Sequence, residues 1–243
     1  MKVSCKVHGS DREFKVAPRI VSYYNCTLFV LDRMKILSRT FLCTASVFIF
    51  IQEVDQMNFL PELSEVKEIA ATNEYNVVPV SCELLSDFTT PIETMKILKN
   101  VSTHCYMLES AWANDKWGRY TFLGFDPKME ITCIDGEIKA GNIRIKTDNP
   151  SDYLRQILAD YKSPRFSYLP SFTGGLVGYF SYDYLGYSEP AVRCKVEDTE
   201  DFKDVDLMLF DKVIAFDNVR QKLILIVNMP LQDVEDIIRP LWS

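Results

Sequence analysis

The chain has 243 residues, 47% of them hydrophobic and 25% charged, an ordinary globular balance that excludes collagen, a continuous coiled coil and wholesale disorder. A net charge of −7 without a Lys/Arg-rich stripe leaves no electrostatic footprint for a nucleic-acid backbone. The seven cysteines are odd in number and lack CxxC or Cys/His metal spacing, which points to reduced thiols and a cytoplasmic location, and two histidines, His8 and His104, are too few for a His-rich metal centre.

Residues 1–56 differ from the rest. They carry eight Lys and Arg against five Asp and Glu, whereas residues 57–243 carry 19 against 29. The apolar run Phe41–Ile51 would rise about 16 Å as a helix, well short of the roughly 30 Å hydrocarbon core. It also lies too far from the N-terminus, with no small-residue cleavage site after it, to serve as a secretory signal. Residues 1–56 therefore read as an N-terminal extension or a mis-called start, and 57–243 as one domain.

Beyond Met57 the elements come in order. Pro61–Ala70 predicts an amphipathic helix, with Pro at its front and apolar residues at 63, 66, 69 and 70. Asn76–Leu85 alternates as a strand, which Pro79 assigns to a sheet edge. Thr90-Pro91 opens a helix through Lys99, and strands are predicted over His104–Ser110 and Arg119–Phe125. Asp135-Gly136 suits a type I′ turn between strands 128–134 and 137–146. Ser151 or Asp152 caps a helix with Leu154, Ile157, Leu158 and Tyr161 on one face. Strands at Gly174–Tyr182, Leu207–Ala215 and Lys222–Asn228 follow, the last two joined through Asp217-Asn218. Short turns between strands predict an α+β fold with a largely antiparallel sheet and helices packed on one side.

GxGxxG, Walker, GxSxG and HExxH motifs are absent. The glycines Gly174, Gly175 and Gly178 lead into a strand and not into a helix N-terminus, so close backbone packing is favoured over phosphate binding. The acidic run Glu197–Asp201 lacks EF-hand spacing and reads as a solvated turn, His104 as structural, and Tyr179, Tyr182, Tyr184 and Tyr187 as packing aromatics. Two segments carry more. Tyr106–Ser110 ends an apolar strand with Glu109 and Ser110, and Gly118–Gly124 follows with Arg119 at its start. Arg can pair a carboxylate, Ser or Glu can hold an ammonium, and the neighbouring rings can enclose an apolar body, which are the parts of a zwitterion site.

Met107–Ala111, then Gly118–Gly124 and Pro127, resemble the LLES…GRYSFLG…P signature of anthranilate synthase component I. Pro170–Asp183 resembles that family's F-x-GG-x-x-GY-x-x-Y-D stretch, and Pro79-Val80 and Thr90-Pro91-Ile92 also fall where the family has them, so the resemblance runs over about 76–228. It implies the fold of the family's N-terminal part and, for the whole enzyme, conversion of chorismate to anthranilate and pyruvate. The ammonia comes from glutamine through a glutamine amidotransferase component II. The family's catalytic His and Mg²⁺-binding carboxylates belong to a C-terminal half that the resemblance sets beyond Ser243, so neither a cofactor nor a catalytic residue is expected in this chain, nor activity from it alone. The family's N-terminal half carries an L-tryptophan feedback site, also lined by a Pro-containing segment of the other half. Its LLES serine matches Ser110, with Leu108, Glu109 and Arg119 as companions. Two alternatives remain open: the N-terminal part of the related aminodeoxychorismate synthase component I, which shares the fold and a tryptophan pocket, and a free-standing tryptophan-binding module.

Overall fold

Strand alternation and tight turns fold the chain into largely antiparallel sheets with packed helices, as the sequence predicts, and the strands from Phe59 onward divide between two main sheets. The computed structural model describes residues 2–7, 10–15, 58–87, 89–110, 118–192 and 202–232. The apolar run Phe41–Ile51 and the acidic run Glu197–Asp201 lie outside the described residues. Strands β1 (Lys2–Val7) and β2 (Ser10–Lys15) form an antiparallel pair of their own. From Asn58 the order is β3 (Phe59–Leu60), α1 (Leu63–Ala71), β4 (Val77–Leu85), α2 (Pro91–Val101), β5 (Cys105–Leu108), β6 (Tyr120–Phe125), β7 (Met129–Ile134), β8 (Glu137–Ala140), β9 (Ile143–Lys146), α3 (Pro150–Asp160), β10 (Gly175–Phe180), α4 (Leu185–Ser188), β11 (Val205–Phe210), β12 (Lys212–Asp217) and β13 (Lys222–Pro230).

One sheet has six strands in the order β3-β4-β13-β12-β6-β5, the other five in the order β10-β11-β7-β8-β9. On one face of the six-stranded sheet, Leu123, Phe125, Ile214, Leu223 and Leu225 pack with Val66 of α1 and Leu98 of α2. On the other, Val213, Ala215, Ile224 and Ile226 are covered by Phe166, Tyr168, Leu169 and Phe172, a connecting segment with no helix. The helices do lie on one side of this sheet, but both faces are buried, which is why β12 and β13 read as near-continuous apolar runs. The five-stranded sheet buries Ile131, Cys133, Ile138, Val205 and Leu207 against Leu154 and Ile157 of α3. Leu158, expected on that face, is exposed, so the buried stripe is narrower than the periodicity predicts.

Several boundaries move for identifiable reasons. The predicted strand 207–215 is two strands: β11 lies in one sheet and β12 in the other, with Asp211 alone between them. Asn228 anchors the corner, its backbone N–H and its side-chain amide both donating to the Asp211 carbonyl, the amide also to the Thr173 carbonyl. The predicted strand 137–146 is likewise split, because Gly141 and Asn142 form a two-residue loop between β8 and β9. Asp135 and Gly136 have φ of 48° and 76°, the type I′ geometry expected of them. Pro79 lies in a strand that is second in its sheet and not at the edge; β3 reaches only Ser81 and Cys82, so Pro79 pairs with Asn228 on one side and meets no ladder on the other. Helix α1 starts at Leu63 with Glu62 at its N-cap, not at Pro61, which follows a cis peptide bond. Asn149 takes the N-cap position of α3, with Pro150 first in the helix. Ser151 turns instead to the Tyr184 hydroxyl at 2.7 Å, and Asp152 to Asn149 and Arg155.

Helix α2 begins as predicted, with Pro91 in its first turn and Thr90 at the N-cap. Thr90 Oγ1 accepts the Glu93 N–H at 3.2 Å and Glu93 Oε2 accepts the Thr90 N–H at 3.2 Å, a complete capping box. Thr90→Ala is expected to cost about 1 kcal/mol, read as a thermal midpoint lower by roughly 2–4 °C.

Candidate functional site

The two motif segments become neighbouring strands at one edge of the six-stranded sheet. Strand β5 pairs antiparallel with β6, Tyr106 opposite Gly124 and Leu108 opposite Phe122. Glu109 and Ser110 therefore leave the ladder at the same end of the sheet where Arg119 enters β6. Leu108, Glu109 and Ser110 are all exposed, and Arg119 is half-buried.

Arg119 is anchored by a residue that sequence reasoning did not single out. Its Nε–H donates to both oxygens of Asp217 at 3.1 Å, and Nη2 donates to Oδ2 at 2.6 Å. The Asp217 side chain has no solvent exposure, and its Oδ1 also accepts the backbone N–H groups of Val219 and Arg220 at 3.1 and 3.0 Å. Burial pushes the Asp217 carboxyl up. The Arg119 hydrogen bond and charge, with those two backbone donors, outweigh it and hold the group below its ordinary value. The guanidinium also lies 4.9 Å from the Tyr120 ring centroid. A ligand carboxylate at Arg119 would share the guanidinium with Asp217. The sequence signal for this pair is slight: Asp217 was visible only as part of a turn, 98 residues from its partner.

Asp217 also lines a cavity of about 350 Å³ with Ser86, Thr89, Thr90, Glu93 and Gln221, between the start of α2 and the β12–β13 turn. None of Leu108, Glu109, Ser110 and Arg119 is among its lining residues. The cavity walls are mainly hydroxyls, amides and carboxylates, with Pro91 and Phe216 as the apolar part.

Gly124 of the GRYTFLG stretch has a packing role. A Cβ there would run into the Tyr106 ring, which crosses the glycine and meets Phe210 edge-on at 4.7 Å and Phe172 at 6.4 Å. Gly124→Ala is expected to destabilise by about 1–3 kcal/mol through overpacking. In the Tyr106→Leu background the same change should cost clearly less, and equal costs in a urea double-mutant cycle would rule out the ring as the cause.

Among the described residues the groups that could do covalent chemistry are quiet. Cys82, Cys105 and Cys133 are free thiols; burial pushes Cys82 up to about 12 and raises the other two, so none is a ready thiolate. His104 Nδ1 lies 3.1 Å from Thr103 Oγ1 and 3.4 Å from Glu130 Oε1 in a surface cluster. Gly174 and Gly178 are pressed against Phe210, Asn228 and the Asp206–Leu207 backbone, the close packing expected of that stretch, but Gly175 is not: a Cβ there would meet nothing within 4 Å. The four tyrosines divide: Tyr184 and Tyr187 pack into the five-stranded sheet's core, 5.5 Å apart, while Tyr179 and Tyr182 face outward. Among the described residues no three His, Cys, Asp or Glu side chains converge into a metal donor set, and no helix is long and apolar enough to cross a membrane.

No protein-family model matches the chain. It is similar to the anthranilate synthase component 1 of Acetivibrio thermocellus, 33% identical over 175 residues that make up 70% of this chain and 35% of that protein. The component 1 of Acinetobacter calcoaceticus is 34% identical over 188 residues, 74% of this chain and 37% of that protein. That of Saccharomyces cerevisiae is 33% identical over 177 residues, 70% and 34%. A crystal structure of anthranilate synthase component I from Streptococcus pneumoniae TIGR4 aligns with 65% of this chain and 36% of its own, at 24% identity and a TM-score of 0.42. The chain spans about a third of the length of the curated relatives it matches. It is homologous to that part of anthranilate synthase component I, the family whose motifs its strands β5, β6 and β10 resemble.

Proposed function

We propose that this chain is the N-terminal regulatory part of anthranilate synthase component I and that it holds the L-tryptophan feedback site, with residues 57–243 as the domain responsible and 1–56 as an extension to it. The reading is supported above all by the pairing of the two motif segments, which brings the exit of β5, with Leu108, Glu109 and Ser110, to the entry of β6 at Arg119. Ser110 and Glu109 contact the ammonium end of tryptophan, Arg119 its carboxylate, and Leu108 its indole. The whole enzyme converts chorismate and ammonia to anthranilate and pyruvate in the cytoplasm, with glutamine hydrolysed by a component II amidotransferase. Mg²⁺ and chorismate are held by the part of component I that this chain does not span. Tryptophan inhibits by binding more tightly to the low-activity arrangement than to the active one, and the size of that difference sets the depth of inhibition.

Calorimetric titration of the chain with L-tryptophan tests the assignment. The unaltered chain is expected to bind, and Ser110→Phe to weaken binding by at least about 30-fold, or roughly 2 kcal/mol. Circular dichroism should be unchanged, because position 110 is exposed beyond the end of β5. Equal affinity for the two proteins would overturn the placement of the site.

A further inference from the structure

A guanidinium presents two edges to a carboxylate, Nε with Nη2 and Nη1 with Nη2. In Arg119 the first is filled by Asp217, and among the described residues no acceptor meets Nη1. The second edge is open, and its direction is set by what holds the first. Asp217 stands opposite Tyr120 in the β6–β12 ladder, one residue from Arg119, so strand pairing fixes where the acid begins. Its Oδ1 accepts the Val219 and Arg220 N–H groups, which fixes how the carboxylate is turned. The next residue grips the main chain: the Asn218 N–H donates to the Arg119 carbonyl at 2.9 Å, and the Asn218 side-chain amide to Thr121 Oγ1 at 3.2 Å. The turn between β12 and β13 is thus built around Arg119, at its backbone and at its side chain. Two other cations at this end of the sheet already have a carboxylate, Arg220 bonding both oxygens of Glu83 at 3.0 and 3.4 Å and Lys222 bonding the same group.

A guanidinium fixed in this way loses its rotamer freedom on folding and not on binding, so its free edge takes a carboxylate in one orientation at little further cost. We infer that Asp217 is a positioning residue of the candidate site, holding Arg119 so that its Nη1–Nη2 edge receives a ligand carboxylate end-on and separates a free carboxylate from an amide. This rests on the tryptophan reading of the preceding subsection and adds to it the residue that makes the arginine selective. The opposite role for the acid has the opposite sign. Asp217 cancels the charge of Arg119, so if cancellation were its whole effect, removing it would strengthen the pull on a ligand carboxylate. Positioning requires that removing it weaken binding.

Asp217→Asn separates the two roles, because the amide oxygen still accepts the N–H groups of the turn while an NH2 donor faces Nη2 in place of Oδ2. The test is calorimetric titration of the full 243-residue chain with L-tryptophan, L-tryptophanamide and indole-3-propionate, which has the carboxylate and no ammonium. The unaltered chain is expected to prefer tryptophan to its amide by about 30-fold. Asp217→Asn should weaken both carboxylates about 10-fold and leave the amide within about twofold, so that the preference falls to about threefold. In an Arg119→Lys background the same substitution should change tryptophan affinity by less than about twofold, because its effect runs through the guanidinium. Unchanged or tighter carboxylate binding by Asp217→Asn overturns the proposal. So does equal weakening of acid and amide, the mark of general structural damage. A second readout uses the unaltered chain: the Arg119 Nε–H, identified by its loss in Arg119→Lys, should give a resolved nitrogen–proton resonance at neutral pH that persists when tryptophan binds the other edge. An Nε–H broadened by water exchange in the free chain overturns the clamp. Indole-3-propionate bound with this dependence on Asp217, but no tryptophan bound, would remove the tryptophan reading and keep the positioning role. Tryptophan bound equally by both proteins would do the reverse, and binding of neither carboxylate overturns both.

Discussion

Gly178→Ala is expected to be among the most damaging single substitutions in the five-stranded sheet, at about 3–5 kcal/mol. Gly178 sits in β10 opposite Leu207 of β11, and a Cβ there would collide with the carbonyl oxygen of Asp206 and stand 2.9 Å from the Leu207 Cα. Those atoms are backbone within a paired strand, so no rotamer change relieves the contact. Either β10 separates from β11 or β11 shifts against β7, and both break ladder hydrogen bonds. The φ of 155° adds a smaller conformational cost. Gly175→Ala is the matched control: its φ is 131°, but a Cβ there has open space, so only the backbone preference is lost, at the lower end of roughly 1–3 kcal/mol. Urea midpoints for the two variants should therefore differ by several-fold in their displacement from the unaltered chain. Similar displacements would mean that φ, and not the close approach of β11, is what requires glycine at 178.

Such contacts mark where sequence reasoning ends. The antiparallel α+β architecture is legible because strand alternation and turn residues are local: Asp135-Gly136 and Thr90-Pro91 behave as their chemistry dictates. Gly141-Asn142 is an equally local signal that the reading passed over, and the strand split there as a Gly-Asn loop should. The corner at Asp211 has no such signal. It lies in an apolar stretch without Gly or Pro, and what bends it is Asn228, 17 residues downstream, gripping the Asp211 carbonyl. Expected cap and edge positions failed for a related reason. Ser151 was taken by the Tyr184 hydroxyl, and the short reach of β3 left Pro79 without a neighbour inside a strand that is not terminal. For the candidate site, motif resemblance brought out Ser110 and Arg119, and the β5–β6 ladder explains why segments nine residues apart come together. The buried acid that fixes the arginine is 98 residues from it, and neither period nor motif could announce it.

Asp217→Ala should cost about 3 kcal/mol, the second of the two largest effects expected. The carboxylate is fully buried and accepts from Arg119 Nε and Nη2 and from the Val219 and Arg220 N–H groups, so truncation removes the acceptor of four N–H donors at once. Arg119 is 36% exposed and regains some hydration, which keeps the loss at the lower end of the range for broken buried pairs. The same geometry sets a pH dependence. Asp217 is held below its ordinary carboxyl range in the folded chain, so the unfolded state binds the proton more readily. Its stabilisation is then fully present above the unfolded value of about 3.9 and is lost as pH falls through the lower folded value. Stability of the unaltered chain should fall more steeply below about pH 4 than that of Asp217→Asn, which keeps the shape and has no proton to gain. Glu83, also lowered by Lys222 and Arg220 against the rise caused by burial, contributes to the acid slope of both proteins and cancels in the comparison. Parallel acid limbs for the two would show that Asp217 titrates as it does in the unfolded chain. The ion pair would then orient Arg119 without stabilising the fold, and Asp217→Asn should leave the urea midpoint at neutral pH unmoved.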